Sequence, residues 1–131
     1  MKKELIICII ILILIIIGNI LTQKYTTNSV DVITESLKDL RKDILKDIEN
    51  VDKEYTLKKV NEVDEKWHKF YNLLAYYIEH NELEKAETNL IAIESYLEGE
   101  EYGEGVSKID ETIFVLEHIE RKYKVTLQNI F

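Results

Sequence analysis

The chain has 131 residues, no proline, four glycines and one cysteine, and its 25 acidic side chains outnumber 17 basic ones for a net charge of −8. That excess argues against nucleic acid or anionic lipid as partners, since both are polyanions. Without proline and with so little glycine, long helices are favoured over a many-turned β fold, and the length allows one hydrophobic core.

Residues 5–21, LIICIIILILIIIGNIL, open at Leu5 and close at Leu21 as an almost unbroken apolar run directly after Met1-Lys2-Lys3. As a helix rising about 1.5 Å per residue the run covers roughly 25 Å. That is short for a hydrocarbon core of about 30 Å, but a bilayer can thin to match it. A cleaved signal peptide has the same basic start and apolar centre, yet it needs small residues just before the cut. No alanine precedes Ala75, and Thr27-Asn28-Ser29 is a poor substitute. The expectation is a retained transmembrane anchor over residues 1–21, with the lipid bilayer as its partner; a secreted protein after cleavage is the alternative. Ile7 is too bulky before Cys8 for a lipidation box, so the cysteine reads as a small hydrophobe. Lys2 and Lys3 precede the run and Lys24 alone follows it closely, which places the N-terminus in the cytoplasm and the rest outside. The polar part has no cysteine, which suits an exported domain.

Residues 22–29 (TQKYTTNS) read as a polar connector, with Asn28 or Ser29 capping a first helix. Val30, Ile33, Leu37, Leu40, Ile44, Ile48 and Val51 then recur at helical steps. Asp52 is placed to cap a second helix, read without a break over residues 53–79, whose stripe is Val60, Val63, Trp67, Tyr71, Leu74 and Ile78. Asn81 with Glu84 three residues later has the form of a capping box that opens a third helix. The stripe there is Leu83, Ala86, Leu90, Ile93 and Leu97. Residues 98–105 (EGEEYGEG) hold three of the four glycines and read as the clearest loop. A fourth helix carries Val106, Ile109, Ile113, Leu116 and Ile119, and the apolar end LQNIF is expected to dock rather than wave in water. Each stripe must be buried on the others, so residues 30–131 predict an all-α bundle of about four amphipathic helices, built as helical-hairpin pairs. Glu54-Tyr55 and Glu101-Tyr102 hint that the hairpins are duplicated.

Chemistry is scarce. Glu65-x-x-His68 has the spacing of one half of a di-iron motif, but no second Glu-x-x-His completes it: Tyr77 precedes His80 and Val115 precedes His118 at the equivalent positions. Glu98, Glu100, Glu101 and Glu104 lack the alternating ligands of a calcium loop and read as a solvated acidic loop. No phosphate loop, zinc pattern or nucleophile elbow occurs. No cofactor, metal or catalytic residue is assigned, and no enzymatic activity is expected. The candidates for a ligand or interaction spot are His80 and His118, which could meet across a helical pair, Trp67 and Tyr76 among the aromatics, and Phe131 at the end.

Glu79-His80-Asn81-Glu82-Leu83-Glu84, Leu116-Glu117-His118-Ile119 and the terminal Leu127-Gln128-Asn129-Ile130-Phe131 carry a resemblance. The chain resembles a domain-of-unknown-function family of small single-span proteins from low-GC Gram-positive, often spore-forming, bacteria. That resemblance implies that His80, His118 and the terminal residues matter, supplies no reaction, and suggests co-occurrence with multi-span membrane proteins. The expected function is a non-enzymatic, membrane-tethered, extracytoplasmic module that contacts another membrane or envelope protein, self-association included. A small-ligand or cation sensor using the acidic loop and the histidines is the alternative.

Overall fold

A helix whose apolar side chains recur every three or four residues has one face that must be covered. Four such faces meet here. The structure, a computed structural model, describes residues 1–128, with side chains described through Lys124. Its helices are α1 (Lys2–Lys46), α2 (Lys53–Leu74), α3 (His80–Glu98) and α4 (Tyr102–Gln128), and no strand occurs among the described residues. The fold is all-α, as the pattern predicts.

The chain runs up, down, up and down. α1 packs on α2 and α4, and α3 packs on the same two helices. Pairs along the α1–α2 seam set the antiparallel register: Asp43 with Lys59 near one end, Ser36 with Lys66 midway, and Thr26 with Tyr77 at the other. The stripes read from the sequence form the core, with Ile33, Leu37, Leu40, Ile44, Leu83, Ile93, Leu97 and Ile109 wholly buried. Ile48 is the exception: it falls in the α1–α2 loop and is exposed.

α1 is longer than the sequence suggests. Residues 22–29 are helical, so the apolar run and the first bundle helix form one unbroken 45-residue element. Asn28 and Ser29 cap nothing. Instead the hydroxyls of the segment bond back onto the preceding turn, Thr22 to the Asn19 carbonyl, Thr26 to that of Thr22 and Ser29 to that of Tyr25. Ser and Thr oppose a helix weakly and only when they can offer the backbone another partner; with their hydroxyls occupied this way, nothing here breaks it.

Two other boundaries move. α2 stops at Leu74, and residues 75–78 form a turn rather than its last turn of helix. α3 starts at His80 with Glu79 as its N-cap and no side-chain cap bond, so Asn81 and Glu84 do not form the expected box. Tertiary contacts override the local signals at this corner, as the next section describes. At the opposite end, the loop expected over residues 98–105 shrinks to Gly99, Glu100 and Glu101. Gly103 and Gly105 lie inside α4. A Cβ on Gly105 would stand 3.1 Å from Leu97 Cδ2, so that glycine serves the close approach of α4 to α3. The segment from residue 125, expected as a docking tail, continues α4 to Gln128; Asn129, Ile130 and Phe131 lie outside the described residues.

Candidate functional site

The candidate side chains among the described residues fall in different settings. Trp67 is 2% exposed at the centre of the bundle, its ring meeting Tyr71 edge-on at 6.0 Å. Its indole Nε1 has no hydrogen-bond partner. The cavity it lines with Thr26, Ser29, Val30, Leu74, Ile78, Leu83, Leu116 and Ile119 measures about 10 Å³. That is at the lower limit for a single water and far below a ligand. Trp67 is therefore core, where helical spacing puts it.

His118 lies on α4 one turn after Phe114, and the two sit with Val115 along a groove whose other wall is Asn81, Glu82 and Lys85 at the start of α3. Phe114 is 63% exposed there, with the Arg121 guanidinium 5.9 Å from its ring centre. Lys122 ties this part of α4 to the start of α3, reaching Glu82 at 3.1 Å and Glu79 at 3.3 Å. The Glu82 bond foremost holds its ammonium above the usual lysine range, with Glu79 adding to the effect. His80 opens α3 but is not part of the groove wall, and its Nε2 faces Glu84 at 4.0 Å. The groove presents the Phe114 ring, the His118 imidazole and the Lys85 ammonium beside the Glu82 carboxylate.

His68 stands elsewhere. Its Nδ1 is 2.9 Å from the Asp64 carbonyl and 3.3 Å from an Asp64 carboxylate oxygen, while Nε2 is 3.6 Å from Glu87 on α3. Bonding to the Asp64 carbonyl foremost raises its pKa above the ordinary histidine value; desolvation opposes the rise, and the Asp64 and Glu87 charges add to it. Glu65 takes no part in these contacts. No group of three His, Cys, Asp or Glu able to hold a metal occurs among the described residues.

Tyr76 is the most exposed aromatic among the described residues, at 86%, on the α2–α3 turn. Its neighbour Tyr77 turns inward. Tyr77 Oη is 2.8 Å from Thr26 Oγ1 and donates to the Thr22 carbonyl at 3.2 Å, and burial raises its pKa above the usual tyrosine value. Tyr123 closes the corner from α4: its Oη accepts the Glu79 N–H at 2.8 Å, and its ring meets Tyr77 edge-on. Tyr25 and Phe70 make a further edge-on pair at 5.9 Å. Sequence reasoning singled out Tyr76 but missed Tyr25, Tyr77 and Tyr123 as a group. Only the packing that brings the middle of α1, the α2–α3 turn and the last turns of α4 to one end of the bundle could have revealed them.

The family model for a domain of unknown function, DUF4363, matches residues 24–130. The chain belongs to that family. The match starts at Lys24, so it takes in the bundle base, the α3–α4 groove and the tyrosine corner, and begins just after the apolar run. No curated protein and no solved structure matches the chain. Within α1 the run is long and apolar enough to cross a membrane, a test that a signal sequence near an N-terminus also meets.

Proposed function

We propose that this DUF4363 protein is a single-pass, membrane-anchored helical module that carries no catalysis of its own. On this reading its bundle lies outside the cytoplasm and acts by contact with another membrane or envelope protein. The observation that carries the reading is the split within α1. Leu5, Leu12, Leu14 and Leu21 are each about 61–62% exposed, whereas Ile33, Leu37, Leu40 and Ile44 are fully buried by the other helices. One continuous helix thus has an apolar stretch the bundle leaves uncovered and an apolar stripe it covers completely. Lipid would cover the first, since a lipid-facing helix satisfies its own backbone. Lys2 and Lys3 before the run favour a cytoplasmic N-terminus. The groove beside Phe114 and His118 is the surface best suited to a partner, an exposed aromatic being a common anchor at interfaces.

Two modifications of the full chain in its own cells test this together. A photocrosslinking residue at Phe114 should yield one discrete adduct with a membrane protein. A cysteine at Asn50, in one of the two loops at the end away from the run, should react with a membrane-impermeant thiol reagent while the protein stays in the membrane fraction. A trimmed protein in the medium, protection of the Asn50→Cys position, or no discrete adduct would each refute the corresponding part. An adduct only with itself would assign the groove to self-association.

A further inference from the structure

The α2–α3 turn is fastened to α1 close to where the apolar run ends. Tyr77 Oη engages both Thr22 and Thr26, and Thr22 is the residue after Leu21. α4 reaches the same level, where Gln23 Nε2 donates to the Tyr123 carbonyl at 3.4 Å. Because α1 is helical throughout, this level stands at a fixed height above the run and does not float on a loose tether. Thr26 lies about 7 Å past Leu21 at about 1.5 Å per residue. The headgroup layer on each side of a bilayer is roughly 5–7 Å deep. The run is also about 5 Å short of a full hydrocarbon core, a mismatch that draws the level inward.

Building on the membrane-anchored reading, we infer that the base of the bundle is seated in the lipid headgroup layer, with Tyr76 as its interfacial anchor. Tyr76 is 86% exposed and Leu73 beside it 46%, an aromatic–aliphatic pair that the bundle does not cover. Tyrosine, with an apolar ring and a hydroxyl at its tip, is enriched at the membrane–water boundary. On the other side of α1, Lys24 and Lys124 line a groove with Ile20, Gln23, Thr27, Asn28 and Asp31. Their stems suit the apolar boundary and their ammonium groups suit lipid phosphates, although Lys124 is held by Glu120. Lipid is the occupant, because the surface is continuous with the span and anything else at this height must displace the lipid around α1.

The net charge read from the composition hides this arrangement. Asp47, Glu49, Asp52, Glu54, Glu98, Glu100, Glu101 and Glu104 lie at or beside the two loops of the opposite end, against Lys46 and Lys53. At the base Lys24, Arg121, Lys122 and Lys124 stand instead with Glu79, Glu82 and Glu120, so the excess of negative charge lies at the opposite end. Acidic repulsion from an anionic surface is thereby kept at the end farthest from it, beyond several Debye lengths of about 8 Å at physiological salt.

The test uses the full chain with Cys8→Ser and one cysteine at a time, Tyr76→Cys, Asn50→Cys or Ile13→Cys, each carrying a small environment-sensitive fluorophore. The proteins are reconstituted in phosphatidylcholine–phosphatidylglycerol vesicles with nitroxide on the headgroup or in mid-chain. Headgroup nitroxide should quench the probe at position 76 several-fold more than the probe at position 50, and mid-chain nitroxide should quench the probe at 13. If 13 is quenched and 76 behaves like 50, the seating is refuted while the anchor stands. If 13 is not quenched, the anchored reading fails and this inference with it. Unchanged helical circular dichroism and Trp67 emission confirm that each labelled protein keeps its core.

Discussion

The two ends of the bundle close their turns by different means. At the far end the devices are local. The Asp52 carboxylate caps α2 by accepting the Tyr55 N–H at 3.0 Å. The α3–α4 turn closes with the Glu101 N–H on the Tyr96 carbonyl at 2.8 Å and the Glu100 N–H on that of Leu97 at 3.2 Å, the Schellman pattern. At the base the α2 carbonyls are met within the turn as well, but bonds from other helices are added: Tyr123 of α4 accepts the N–H of Glu79, the N-cap of α3, and the Tyr77 hydroxyl of the turn reaches α1. A turn held by its own residues can stand in water alone. A turn held by three helices holds the bundle to the helix that leaves it, which is what an anchored body requires.

The largest expected effect comes from breaking that continuity. Thr27→Pro places a ring in the middle of α1 and removes a backbone donor, so the detergent-solubilised protein should lose about 3 kcal/mol or more of unfolding free energy in urea. Thr27→Ala should be neutral or slightly stabilising, because alanine is the better helix former. If proline were tolerated as well as alanine, residues 22–29 would be a connector after all, and the base would have no fixed height.

This contrast also explains what the sequence could and could not reveal. The stripes were legible because burial imposes a period on a helix, and Val60, Leu90, Ile93 and Leu116 are buried where that period puts them. Asp52 was legible because a cap lies within three residues of the group it satisfies. The Asn81-Glu84 box was an equally good local pattern, yet the corner is closed by Tyr123, 44 residues away from Glu79. Thr22 to Ser29 looked like a linker because its residues favour turns, and only their back-bonded hydroxyls in an unbroken helix reverse that reading. The candidate site divides in the same way: Trp67 sits in the core as its spacing implies, and His118 follows Phe114 by one turn of α4, whereas their placement opposite Asn81 and Lys85 depends on how α3 and α4 pack.

The far end can be sharpened by one substitution. Glu100 has φ 58°, the left-handed region, while the adjacent Gly99 has φ −76° and does not use its freedom. A side chain in that region is strained by roughly 1 kcal/mol or a little more, which glycine relieves. Glu100→Gly should therefore stabilise the protein by about 1 kcal/mol, a rise of roughly 4–8 °C in Tm for a domain of this size. Calorimetry of the purified chain checks it. A loss instead would mean that the Glu100 side chain contributes more to the turn than its backbone costs.

The smallest effect lies between the two ends, at His68. Its imidazolium is favoured in the folded protein by the Asp64 carbonyl first and by the Asp64 and Glu87 charges after it. A folded pKa raised above the unfolded value near 6.5 means protons bind the folded state more tightly. The stabilisation is then complete below about pH 6.5 and disappears as the pH rises through the folded value. The side chain is 58% exposed, so solvent screening keeps the effect well under about 1 kcal/mol. Comparing the chain with its His68→Gln variant at pH 5.5 and pH 8 cancels the carboxylates common to both. The parent should gain stability over the variant at the lower pH and lose that advantage at the higher. An advantage that instead grew with pH would reverse the sign, and the contacts to Asp64 and Glu87 would then not hold the charged ring across the α2–α3 seam.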